Sequence, residues 1–194
     1  MRLPRRAILL LPPVLAACTG GPPRQDPVQL PETARDGGIT DPARSAILSA
    51  SFVFGQPASI AGDAAAGAEA LARLEFLAVE LDVGPRWIEM NALVPPLLAQ
   101  GRAEARAAFG LDPAAPPQRV MDALYGAAAA LRAGDSARAV AALAPLTGPD
   151  RAEAALARMA AFPYLPRAAQ ALAQARLGLN RMDRDGIRRR VWMS

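Results

Sequence analysis

"GDAAAGAEALARLEFLAVELDVGP", residues 62–85, decides the fold. Asp63 stands where a side chain can cap a helix, and Leu71, Leu74, Leu77, Ala78 and Leu81 recur at helical spacing. Arg73, Glu75, Glu80 and Asp82 fall largely to the other side, so the spacing predicts an amphipathic helix with Glu75 and Glu80 on its solvated face. Gly84-Pro85 ends it, because proline cannot continue the hydrogen-bond ladder.

The flanking segments have the same character. In "ITDPARSAILSASFVFG", residues 39–55, Thr40 or Asp41 can cap a helix, Pro42 suits its first turn, and Gly55 with Pro57 stops it. "RWIEMNALVPPLLAQGRAEARAAFGL" predicts a short helix from Arg86 to Leu93, a break at Pro95-Pro96, and a second helix from Leu97 to Phe109. "QRVMDALYGAAAALRAGDSARAVAALAPL", residues 118–146, gives two helical runs joined at Gly134-Asp135, with Ala127, Ala128, Leu131, Ala139, Val140 and Leu143 facing across the pair. "PDRAEAALARMAAF" and "LPRAAQALAQARLGL" add two alanine-rich helices, divided by Pro163-Tyr164-Leu165-Pro166. No alternating strand pattern occurs, so the fold class is all-α: about seven helices in an irregular bundle. Phe52, Phe54, Leu71, Phe76, Leu77, Leu124, Leu131, Leu143, Leu156 and Phe162 are the expected large core residues.

The hairpin at 118–146, with Leu131-x-x-Gly134-Asp135 followed by Ala139, is similar to a tetratricopeptide-type helical hairpin. Stepping about 34 residues, that family's period, from Gly134 lands on Ala168 inside another helical run, so the repeat is not sustained. The resemblance implies stacked helices with a concave protein-binding surface.

The chain has 194 residues, 52% of them hydrophobic, no histidine and a single cysteine. The usual general base near neutral pH, the usual zinc ligands and a thiol nucleophile within the domain are therefore missing, and neither cofactor nor metal is expected. Every basic side chain is arginine. Of the 22, Arg2, Arg5 and Arg6 precede the cysteine, and without them 19 face 18 acidic groups, so the net charge of +4 is no argument for nucleic acid. Aromatics, at 5%, are also too sparse for base stacking.

Residues 1–17 combine those arginines with an uncharged, mostly apolar run from Ala7 to Ala17, interrupted by Pro12 and Pro13. This is a signal-peptide core, too short for a membrane span of about 20 residues. Leu15-Ala16-Ala17-Cys18 resembles a bacterial lipobox. The resemblance implies cleavage between Ala17 and Cys18 and acylation of the Cys18 thiol, hence a membrane partner through a lipid anchor. Thr19 stands where inner-membrane retention usually involves Asp, so the resemblance favours the periplasmic face of the outer membrane, the inner membrane being the alternative. A chance cysteine in an ordinary secretory signal is the competing explanation.

Residues 18–38 carry four prolines and a glycine pair at each end, with no helical or strand period. They read as a linker that could lift the domain by up to roughly 60 Å; a proline-rich docking peptide is the alternative. The helical domain is then 39–180, and 181–194 a basic C-terminal tail.

Two enzyme-like patterns fail on inspection. The Glu-Ser pair of lytic transglycosylases is absent, since Glu69, Glu75, Glu80, Glu89, Glu104 and Glu153 precede Ala, Phe, Leu, Met, Ala and Ala. Asp183-Arg184-Asp185-Gly186 has the centre of a calcium loop, but Arg181 and Trp192 occupy the first and twelfth positions, where oxygen ligands are needed. A turn after the last long helix accounts for it. Trp87 and Met90 suit either a core or a partner contact. Arg188, Arg189 and Arg190 beside Trp192 suit anionic lipid, an acidic partner or a frayed terminus. The leading expectation is a lipid-anchored, non-enzymatic envelope protein with a protein partner. A helical carrier of an apolar ligand and a carboxylate-dependent hydrolase are the second and third.

Overall fold

The computed structural model describes residues 25–34 and 41–192, with side chains to 186 except that of Thr33. Among these residues there are seven α-helices and no strand: α1 (Pro42–Gly55), α2 (Ala64–Val83), α3 (Val94–Phe109), α4 (Pro117–Arg132), α5 (Ser136–Thr147), α6 (Ala152–Ala160) and α7 (Pro166–Trp192). The protein is an all-α bundle.

Aspartates start three of these helices by accepting N–H groups that the first turn leaves without partners. Asp41 accepts from the Ala43 N–H at 3.0 Å, Asp63 from that of Ala66 at 2.8 Å, and Asp135 from that of Arg138 at 2.9 Å. Helix α2 is the central element: α1, α3, α4 and α6 all pack on it, and 13 of its 20 residues are buried. Its solvated face is accordingly narrow, and Glu75 does not lie on it. Small residues let the neighbours approach. A Cβ on Gly67 would stand 2.6 Å from the Met159 carbonyl oxygen at the α2–α6 crossing, and one on Gly101 would stand 2.7 Å from the Ala168 Cα at the α3–α7 crossing. Each helical glycine costs about 1 kcal/mol in propensity, and the close packing of backbone on backbone offsets it.

Helix directions give the bundle two distinct ends. Arg132 at the end of α4 pairs with Glu69 near the start of α2, so these helices are antiparallel. Arg44 in the first turn of α1 pairs with Asp183 in the second half of α7, while Phe54 meets Phe162 edge-on at 5.3 Å just before α7 begins. One end therefore gathers the starts of α1, α3 and α4, the end of α2 and the C-terminal part of α7. Arg86, just beyond α2, ties this end together through a two-bonded pair with Asp41 at 2.7 and 2.8 Å. The other end gathers the starts of α2 and α5, the end of α4 and helix α6, whose Ala160 carbonyl accepts from the Gly62 N–H at 2.8 Å.

Several expectations are corrected. Residues 86–93 form no α-helix. Pro85–Trp87 is one 3-10 turn, and the Asn91 side chain then accepts from the Leu93 N–H at 3.0 Å, a local turn that restarts the chain as α3. Pro95 and Pro96 begin that helix and do not break it, because the first helical positions need no N–H. Phe52 is 54% exposed, since α1 turns Ala43, Ala46, Ile47, Ala50, Val53 and Phe54 inward.

The linker from residue 18 to 38 is also shorter than expected, because part of it is a strap packed on the domain. Leu30 is only 6% exposed, and Gln29 and Gln118 bond reciprocally, backbone N–H to Oε1 at 2.7 Å and Nε2 to carbonyl at 3.0 Å. The Arg102 guanidinium donates to Gln25 Oε1 at 2.8 Å. At the other terminus, the turn expected at Asp183–Gly186 and the tail expected from 181 are helix, continuous to Trp192. Asp183 turns its carboxylate to Arg44 on α1, so it is not available to build a local turn.

Candidate functional site

Of the residues singled out in the sequence, Ala17 and Cys18 lie outside the described residues. Arg188, Arg189, Arg190 and Trp192 lie on the last turns of α7, with their side chains outside the described set. Trp87 and Met90 belong to the core. The Trp87 indole donates to Glu80 Oε1 at 2.9 Å under the Arg86 guanidinium, which lies 4.5 Å from the ring centre. Met90 packs where Gly178 leaves room on α7. The exposed apolar residues of this loop are Ile88, at 88%, and Leu93, at 64%. A single apolar residue between Trp87 and Glu89 was the only sign of this in the sequence.

Glu75 is the one buried carboxylate among the described residues, and it is fully engaged. Arg106 donates to it through Nε at 2.6 Å and through Nη2 at 2.8 Å, a parallel pair of charged hydrogen bonds. The remaining nitrogen of the same guanidinium reaches the carbonyls of Asp112, Pro113 and Ala115 at 3.3, 3.0 and 2.8 Å. The group fastens the α3–α4 connection to α2. Both oxygens of the Glu75 carboxylate are taken up by this guanidinium.

A large depression lies at the other end of the bundle. A groove of about 670 Å³ runs between α5 and α6 and reaches the start of α2. Leu131, Val140 and Leu156 are its larger apolar lining residues, Ala64, Ala137, Ala157 and Ala160 its small ones, and Ser136 and Glu153 supply oxygen atoms. A smaller hollow of about 350 Å³ shares Ala64 and Leu131 with it and adds Asp63 and Arg132. The volume is in the ordinary range for a binding site, but the groove is open to solvent and its polar groups do not converge on one point. It can take up apolar surface and accept one or two hydrogen bonds.

Charge near the groove is organised by Glu69, which accepts from Arg73 and from Arg132. Tyr125 lies close by on α4, and burial pushes its hydroxyl up to about 12. Among the described residues no three His, Cys, Asp or Glu side chains are placed to hold a metal ion, and no helix is long and apolar enough to cross a membrane. The groove was only partly visible in the sequence. Leu131 and Val140 are expected between the paired helices, but they are only half-buried there and line the groove. The alanines at 64, 137 and 157 carry no local signal that they converge. Comparison with protein-family models, with curated proteins and with solved structures gives no match.

Proposed function

We propose that this chain is a lipid-anchored, non-enzymatic protein of the bacterial envelope that binds a protein partner in the groove between α5 and α6. The carrying observation is the groove itself: open, mostly apolar, lined by several alanines, and at the end of the bundle remote from the N-terminal strap. Small lining residues let a partner come close, as when the apolar face of an amphipathic helix lies in a groove. Its openness favours a protein over an apolar small molecule, which needs an enclosed chamber to stay dry. Cys18 carries the lipid in this reading, and Thr19 favours the outer membrane's periplasmic face.

The test is capture from detergent-solubilised envelopes with three baits: the wild-type chain, Cys18→Ser and Ala157→Arg. Ala157 is exposed, so arginine there obstructs the groove without entering the core. A near-stoichiometric protein that binds wild type and is lost with Ala157→Arg supports the reading. A partner indifferent to that change, or no enriched protein, refutes it.

A further inference from the structure

The end of the bundle opposite the groove combines three features, and together they define a surface for a bilayer. The first is distance. Seven peptide links join Cys18 to Gln25, which Arg102 holds on α3, so a lipid on Cys18 lies within about 25 Å of that point. Arg102 stands midway along α3, eight residues or about 12 Å along the helix from Val94 at this end, so the connection is long enough to bring the lipid there.

The second is exposed apolar surface. Ile88 and Leu93 project from the loop between α2 and α3 at this same end, while Trp87 and Met90 of that loop are buried and hold it in place. The third is charge. Helix α7 continues nine residues past Asp183, its point of contact with α1, a length of about 13 Å that carries Arg188, Arg189 and Arg190. Asp41 and Asp183, two of the carboxylates here, are paired with Arg86 and Arg44. Glu80 shares Arg86, and Asp26, Asp82, Glu89 and Asp185 are the other carboxylates here, beside Arg181, Arg184 and the three terminal arginines.

We infer that the end formed by the 84–93 loop, the strap and the C-terminal part of α7 rests on the anionic phospholipid surface that holds the Cys18 anchor, so that the groove faces the aqueous side. This rests on the lipid-anchor reading of Cys18. Acyl chains, exposed apolar residues and arginines add as separate membrane-binding contributions, and the short connection brings all three to one surface. The strap converts a flexible attachment into an orientation. Helix α4 runs between the two ends, and its 16 residues set the groove about 24 Å farther from the bilayer when the helix stands upright.

The experiment uses lipidated protein in vesicles of phosphatidylethanolamine and phosphatidylglycerol. Lipid occupies the only native thiol, so a cysteine introduced at Ala92 or Ala137 takes a fluorophore uniquely, and energy transfer to acceptor lipids gives its height. The expected result is a label at Ala92 lower than one at Ala137 by about 20 Å. That difference should shrink by about half or more when Ile88→Asp, Leu93→Asp and charge reversal of the three terminal arginines are combined, as attachment falls back to the acyl chains alone. Equal heights in the unmodified protein overturn the inference. Labelling with an alkyne fatty acid is read separately: incorporation that depends on Cys18 maintains the anchor even if the heights are equal, and no incorporation removes both.

Discussion

Replacing Arg106 by Met should cost this protein about 4 to 5 kcal/mol. The side chains of Arg106 and Glu75 are 6% and 4% exposed, and the substitution leaves the carboxylate buried with its charge uncompensated, at about 3–5 kcal/mol. The carbonyls of Asp112, Pro113 and Ala115 also lose their donor. That adds up to about 1 kcal/mol each, less whatever solvent recovers at the exposed Asp112 and Pro113. Glu75→Leu alone should cost less, about 3 kcal/mol, because the guanidinium keeps its carbonyl partners. In the double variant Glu75→Leu/Arg106→Met no buried charge remains, and the loss should fall to about 1–2 kcal/mol for the orphaned carbonyls. The cycle thus gives a coupling of about 5–7 kcal/mol. Urea unfolding followed by circular dichroism measures all three. In a chain of this length, 4 kcal/mol lowers the melting temperature by about 8–16 °C. A loss below about 1 kcal/mol for Arg106→Met, or costs that simply add, would refute the description of this pair as dry.

Glycine-to-alanine changes should have opposite signs at two helical positions. Gly67→Ala must push the Met159 backbone away and should destabilise by about 1–3 kcal/mol, whereas Gly126→Ala meets only the Ala142 Cβ at 3.9 Å and should stabilise by about 0.5–1 kcal/mol. Melting curves of the two variants decide this, and equal shifts would contradict the packing at the α2–α6 crossing. Side-chain hydrogen bonding by Arg44 holds the Asp183 carboxyl below the usual 3.8. Its stabilising contribution is therefore complete above that value and is lost as pH falls through the lower, folded value. Asp183→Asn should flatten the acid limb of a stability–pH curve below about pH 4, and an unchanged limb would show the pair to be inert. Tyr125 should ionise near 12 in a Tyr164→Phe background, read by ultraviolet absorbance, with stability falling above about pH 10 as only the unfolded phenol loses its proton. Ionisation at 10 in the folded protein would place that hydroxyl in water.

The helices were legible in the sequence because caps and spacing are local. Asp41, Asp63 and Asp135 announce α1, α2 and α5, and Gly84-Pro85 announces the end of α2. What stayed hidden depends on partners distant in the chain. Glu75 looks like a surface residue until Arg106 is brought to it from 31 positions away, and Asp183 looks like a turn residue until Arg44 arrives from 139 away. The strap is harder still, because an extended proline-rich segment has the same composition whether it is solvated or docked. Leu30 and the amide of Gln118 decide the matter, and no periodicity links them. The groove was missed for a related reason: small residues on three helices form a hollow only after the helices have packed.

The strap also bears on the order of events as the chain is made. Its hydrogen bonds join residues 89 positions apart, so Gln29 has no place to dock until α4 has been synthesised and folded against α2. If Cys18 carries the lipid proposed above, a membrane-bound processing enzyme would meet no folded body near it until then. Once the domain closes, only six residues separate that cysteine from a fixed surface. For a lipidated chain, export and modification would then be quickest before folding finishes, and a variant that folds too early would accumulate as the unprocessed precursor.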